Sequence, residues 1–212
     1  MLFKETVDPE LFGLIQQLQA RHEMNGFVLV GGTALSLQLG HRISMDIDLF
    51  SSFPFNVESM LQFLQENFNY FNQVRLKNSL LGNVDSIKVD IISHQYKWLM
   101  PAIEVENIRM ASLEDIAAMK LNAIMGNGSR LKDYVDMAYL SFCFTLQQML
   151  DFFEEKYPMN NSMMAFKSLN WFHDINFDID ILYLDKNMNW DIIRSRIIEM
   201  IQQPGKLFIE SL

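Results

Sequence analysis

Apolar and polar positions change period several times along the chain, and each change marks an element. Leu11, Leu14, Ile15 and Leu18 recur at helical spacing behind Asp8-Pro9, a capping residue followed by proline at the first helical position. This predicts an opening helix. Phe27-Val28-Leu29-Val30 is a short unbroken apolar run that stops at Gly31-Gly32. It reads as a buried strand, a tight turn, then a short helix from Thr33 to about Leu39. Asp46 to Phe50 reads as a second strand. Asn56 caps a further helix with Val57, Met60, Leu61 and Leu64 as its inner face.

From Tyr70 to Ser93 the pattern turns to β. Turn residues occupy Asn78 to Asp85, and Ile87-Lys88-Val89-Asp90-Ile91-Ile92 is a strand with Ile87, Val89 and Ile91 on one face and Lys88, Asp90 and Ile92 on the other. After Pro101 the chain is predicted helical. Ser112 and Asp115 form a capping box, with Asp in place of Glu, for a helix to about Met125 that stops at Gly126-Asn127-Gly128. Another helix runs from about Arg130 to Leu140. Thr145 and Gln148 form a second capping box before Leu146 to Tyr157. Asn189 caps a last helix, apolar through Ile192, Ile193, Ile197 and Ile198, that ends before Pro204-Gly205. Helices and strands mix in the first half and helices dominate the second. The expectation is therefore α+β: a mixed β-sheet flanked by helices over residues 1–110, and a helical part over 111–212 packed against it.

Composition narrows the function classes. In 212 residues, half hydrophobic, there is ample material for a core, and the chain is neither disordered nor linker-like. The formal charge is −9 and neither half is basic, which argues against wrapping long duplex nucleic acid. A local contact to a nucleotide or an RNA end stays open. The single Cys143, in an apolar helix end, excludes an internal disulfide. With no signal-peptide pattern and no apolar run of membrane-spanning length, the expected compartment is the cytoplasm, with no membrane partner. The four His show no metal-ligand spacing. No CxxC, HExxH, GxSxG or GxxxxGK[ST] pattern occurs.

Four features bear on chemistry. A strand feeding Gly31-Gly32-Thr33 and a helix would present backbone N–H groups and the positive end of a helix dipole to a phosphate, with the Thr33 hydroxyl as a further donor. The bland alternative is a plain turn with Thr33 as cap. Asp46 and Asp48, two apart on a strand, share a face. Their repulsion asks for a proton, a cation or a partner, and Mg²⁺ fits such hard oxygen ligands. The alternative is a solvated strand edge. Asp90, set in an apolar strand, would complete a three-carboxylate set for metal-assisted phosphoryl or nucleotidyl transfer if its strand lies beside the Asp46–Asp48 strand. It could also serve as general base, or simply pair with a cation on an adjacent strand. Arg42 and Ser44 precede the acidic pair, and Lys120, Arg130, Lys132, Asp133 and Asp136 lie on later helices. Lys and Arg there would supply cations for a triphosphate. Alternatively, Lys120 snorkels and Lys132 pairs with Asp136 at the surface.

The order of these motifs is more specific than any one of them. Val30-Gly31-Gly32-Thr33-Ala34-Leu35 followed by His41-Arg42-Ile43-Ser44-Met45-Asp46-Ile47-Asp48-Leu49-Phe50 resembles the first motif of the polymerase-β-like nucleotidyltransferases, in the Arg-x-Ser-x-Asp-x-Asp form of the AbiEii-type toxins. Ala117 to Ala123 resembles that family's Lys helix, and Arg130-Leu131-Lys132-Asp133-Tyr134-Val135-Asp136 its Arg-x-Lys-Asp-x-x-Asp motif. Trp171-Phe172-His173-Asp174 also looks like a family feature. The resemblance implies a nucleotidyltransferase-like sheet with a helical part closing a nucleotide cleft. Gly31, Gly32, Thr33, Arg42 and Ser44 would bind the nucleotide. Asp46, Asp48 and Asp90 would hold Mg²⁺ and act in catalysis. Lys120, Arg130 and Lys132 would contact the nucleotide or its phosphates, and Asp133 would act as a base or orient a Lys. Thr33 stands where Ser is commoner in the family and keeps the hydroxyl. The implied activity moves an NMP from an NTP to an acceptor hydroxyl, first an RNA or tRNA 3′ end, as the toxin of a type IV toxin–antitoxin pair. An aminoglycoside-like acceptor and a non-catalytic nucleotide-binding module are the alternatives.

Overall fold

In the computed structural model, which describes residues 1–209, the chain divides into two compact units, the first from Met1 to Ala111 and the second from Ser112 onward. In the first, α1 (Pro9–Gln19) leads to β1 (Val28–Leu29), α2 (Gly31–Leu39), β2 (Asp46–Ser51) and α3 (Val57–Phe68). Five strands follow: β3 (Tyr70–Leu76), β4 (Ser79–Val84), β5 (Ile87–Ser93), β6 (Ile103–Val105) and β7 (Ile108–Met110). All seven strands form one mixed sheet in the order β3-β4-β5-β2-β1-β7-β6. β2 pairs with β5 in parallel, as does β1 with β7, and the other pairs are antiparallel.

The caps formed as the sequence suggested. Asp8 accepts from Glu10 N–H ahead of Pro9, and Asn56 accepts from Ser59 N–H. Strand alternation also holds in β2, where Ile47, Leu49 and Ser51 are buried and Asp46, Asp48 and Phe50 are half-buried on the other face. Phe50 therefore shares the acidic face and packs against His94 at 5.4 Å.

Three expectations need correction. Gly31 and Gly32 are not a turn ahead of the helix but its first two residues. Asn78 to Asp85 is not a turn region. Ser79–Val84 is a strand paired on both sides, next to the sheet edge, and the turns are the two-residue loops at Lys77-Asn78 and Asp85-Ser86 that the ladder registers define. The segment after Pro101 is a hairpin rather than a helix, closed at Glu106-Asn107, both with positive φ (53° and 61°). That conformation is the signature of a tight type I′ turn.

The second unit is helical: α4 (Leu113–Gly126), α5 (Leu131–Leu140), α6 (Leu146–Lys156), α7 (Ser162–Ser168) and α8 (Trp190–Gln202). Ser112 accepts from Asp115 N–H, and Thr145 with Gln148 makes both halves of a capping box. The short α7 was not predicted. α4 is the central helix, packed on α5, α6 and α7, while α5 also packs on α8. Tyr134 anchors an aromatic cluster with Phe172 and Trp190. Arg196 lies between the rings of Phe142 (5.0 Å) and Phe208 (4.4 Å). Among the described residues no helix is long and apolar enough to cross a membrane.

Candidate active site

The polar face of β2 meets the polar face of β5. In the parallel ladder Asp46 stands opposite Lys88, and Asp48 opposite Asp90. Side chains at paired positions share a face, so the three carboxylates predicted from alternation lie side by side on adjacent central strands. Asp90 is buried at 6% exposure, one of its oxygens, Oδ1, is buried with no hydrogen-bond partner, and the other, Oδ2, lies 2.7 Å from the Lys88 ammonium. Asp90 thus pairs within its own strand, not with a cation on the next. The three carboxylates of this face raise the Lys88 pKa above its usual value against the opposing effect of burial. Tyr70 approaches the same place from β3. Its hydroxyl donates to the Val89 carbonyl at 3.1 Å, and burial, reinforced by the Asp90 charge, raises its pKa well above that of an ordinary phenol.

The first turn of α2 abuts this face. A Cβ on Gly31 would come 2.6 Å from Asp48 Oδ2, and the residue has φ of +69°, so it must be glycine on two counts. A Cβ on Gly32 would come 2.2 Å from Arg42 Nη2, which brings the guanidinium directly against the helix start. Arg42 is buried and donates from Nη1 to the Ile43 carbonyl at 3.1 Å. Thr33 is buried at 1% exposure. Its hydroxyl donates to the Asp46 carbonyl and lies 2.9 Å from Ser44 Oγ, itself buried. Thr33 and Ser44 therefore tie α2 to the start of β2, and Thr33 does not present a spare hydroxyl outward as the sequence suggested. What the helix offers a phosphate is its N–H groups, which in the first turn of any helix lack intrahelical partners.

Among the described residues no three His, Cys, Asp or Glu side chains are arranged to hold a metal ion by themselves. This does not conflict with Mg²⁺, which is commonly held by one or two carboxylates together with water and substrate phosphates. The unpartnered Asp90 Oδ1, the all-oxygen donor set and the glycine start of α2 fit such an ion.

In the second unit, two of the basic residues predicted to meet a nucleotide, Lys120 and Arg130, are built into an ion cluster. Lys120 is buried, with its ammonium 2.7 Å from Asp133 Oδ1 and 2.5 Å from Asp136 Oδ2. Arg130, whose side chain is half-exposed, holds Asp133 Oδ2 at 2.7 Å. Lys120 does not snorkel, and Asp136, expected at the surface, is fully buried beside it. Lys132 is half-exposed on α5. A second buried pair, Lys156 with Asp115 at 2.6 Å, was not foreseen. Ser112 Oγ donates to the other Asp115 oxygen at 3.0 Å. Burial pulls the Lys156 pKa down against the opposing pull of Asp115.

Known proteins agree with this architecture. An uncharacterized protein of Aquifex aeolicus (strain VF5) is 29% identical over 194 residues, 88% of this chain and 90% of that protein. A nucleotidyltransferase candidate from H. pylori superimposes with a TM-score of 0.56 at 17% identity, covering 91% of this chain and 90% of the other. The nucleotidyltransferase toxin MenT4 of Mycobacterium tuberculosis H37Rv gives 0.57 at 11% identity, covering 89% and 87%. These structures share the fold. The sequence itself matches the family described as nucleotidyl transferase AbiEii toxin, type IV TA system, over residues 14–203. The chain is thus a nucleotidyltransferase-family enzyme and belongs to the AbiEii toxins of type IV toxin–antitoxin systems.

Proposed function

We propose that this enzyme transfers an NMP from an NTP to an acceptor hydroxyl with release of pyrophosphate, that it uses Mg²⁺, and that an RNA 3′ end, tRNA first, is the acceptor. The observation that carries this reading is the register of β2 and β5, which sets Asp48 beside Asp90, with Asp48 itself against the glycine start of α2. Asp46, Asp48 and Asp90 would hold the cation. When bound, it would polarise the phosphoryl oxygens and favour ionisation of the attacking hydroxyl, contributing several kcal/mol of transition-state stabilisation.

The chain's own groups do the rest. The N–H groups at the start of α2, backed by the buried Arg42, would receive the triphosphate where the helix dipole favours negative charge. The acceptor oxygen attacks the α-phosphorus, the bond to the bridging oxygen breaks, and pyrophosphate leaves. The proposed acceptor of the hydroxyl proton is Asp90, the third carboxylate of the face. For Asp133, flanked by Lys120 and Arg130, the role supported is holding those cations rather than acting as a base. Lys120, Arg130 and Lys132 remain proposed nucleotide contacts. A cognate antitoxin is proposed from the family membership.

The test is transfer of label from each α-labelled NTP to total tRNA in the presence of Mg²⁺. Asp46→Asn and Asp48→Asn should each lower transfer by about a thousandfold or more, the scale on which removal of a transition-state charge contact is felt. Melting temperatures should stay near that of the parent. Full activity in both variants would remove the carboxylate face from the mechanism.

A further inference from the structure

The face that carries Asp46, Asp48 and Asp90 also carries one base. Lys88 stands opposite Asp46 across the β2–β5 ladder, with its ammonium 2.7 Å from Asp90 Oδ2. The pair is unequal. The Lys88 side chain is 50% exposed, while that of Asp90 is 9% exposed. A buried carboxylate is costly unless neutralised. Here the neutralising charge sits at the end of a long flexible stem rooted near solvent, as a strongly hydrated ammonium that can leave without being stranded. Asp90 is therefore held by a detachable cation.

We propose that Lys88 is a positioning residue that holds Asp90 until a metal–nucleotide complex displaces it, so that the face takes up a divalent ion already bound to a triphosphate in preference to the free ion. This rests on reading the three carboxylates as the metal-holding face. The β2–β5 ladder sets three carboxylates and one ammonium on that face, with the Arg42 guanidinium at the adjoining start of α2. A free divalent ion has to evict or crowd the ammonium and gains only carboxylate contacts. A metal–NTP complex brings phosphate oxygens, and these give the departing ammonium a new partner. Lys88 thus opposes one ligand and assists the other.

The experiment is Mn²⁺ binding followed by the loss of the free-ion EPR signal, first without nucleotide and then with a non-hydrolysable NTP analogue. In Lys88→Gln the free ion should bind about tenfold tighter or more, and the Mn²⁺–analogue complex about tenfold weaker, as removal of one neighbouring unit charge implies. Lys88→Arg, which keeps the charge, should retain the parental order of affinities. Thermal melts in the metal-free state establish that the variants are folded. Opposite shifts for the two ligands support the proposal, because a lysine with a purely structural role has no reason to move them in opposite directions. Equal free-ion affinity in parent and Lys88→Gln, with Asp48→Asn abolishing binding, would overturn the proposal while leaving the metal-holding face intact. Mn²⁺ binding indifferent to both Asp46→Asn and Asp48→Asn would overturn the face and the proposal together.

Discussion

Gly31 combines two constraints at one α-carbon, a left-handed φ of +69° and the Asp48 carboxylate 2.6 Å from where a Cβ would stand. Gly31→Ala should therefore cost about 1–2 kcal/mol in stability from backbone strain alone. Its loss in NMP transfer should be larger, because Asp48 must swing away. The check is a urea midpoint alongside transfer kinetics. Gly13→Ala, in α1 with nothing within 4 Å, is the control and should stabilise by about 0.5–1 kcal/mol. At this scale the carboxylate face was legible, because a period of two fixes which side chains share a face whatever the strand order. Two things were not legible. Lys88 and Asp90 were already on one face in the sequence reading, but whether the ammonium pairs along its own strand or across to the next depends on a rotamer. The burial of the Thr33 hydroxyl depends on where Ser44 comes to rest, eleven residues later.

Elements with local signals were the readable ones. Caps at Asp8, Asn56, Ser112, Thr145 and Asn189 all formed, because each is decided within one turn of helix. The hairpin of β6 and β7 was missed, since three-residue strands carry almost no period and the turn uses Glu106-Asn107 in place of the usual glycine. Nor could periodicity reveal that α4 and α6 are joined by a fully buried ion pair, as both residues look like surface charges in the sequence. That pair makes a sharp prediction. Asp115→Asn or Lys156→Met alone strands a charge whose partner has 0% side-chain exposure and should cost about 3–5 kcal/mol. The double variant should recover most of that loss, because removing both charges also removes the cost of burying them. Denaturant unfolding of the four proteins in a double-mutant cycle reads the coupling directly. Additive losses would show that Lys156 and Asp115 act independently.

The whole molecule carries a charge of −9, and this bears on which acceptor can reach the face of β2 and β5. A protein of net negative charge repels a polyanion out to about the Debye length, roughly 10 Å at 0.1 M salt, and attracts a polycation over the same range. A short-range cation on that face, such as Lys88, acts only after the acceptor has arrived. For the proposed RNA acceptor, kcat/KM at saturating NTP should therefore stay flat or rise as salt increases from about 20 to 150 mM, because screening relieves the long-range repulsion. A cationic, aminoglycoside-like acceptor should show the reverse, a steady fall over the same range. Measuring kcat/KM against both acceptors across this series separates them by the sign of one slope. A steep fall with RNA, of the kind produced when many phosphates are neutralised, would require an extended basic surface that a chain with 17 basic and 26 acidic residues is poorly supplied to build. That outcome would move the source of RNA affinity from this chain to a partner that brings its own positive charge.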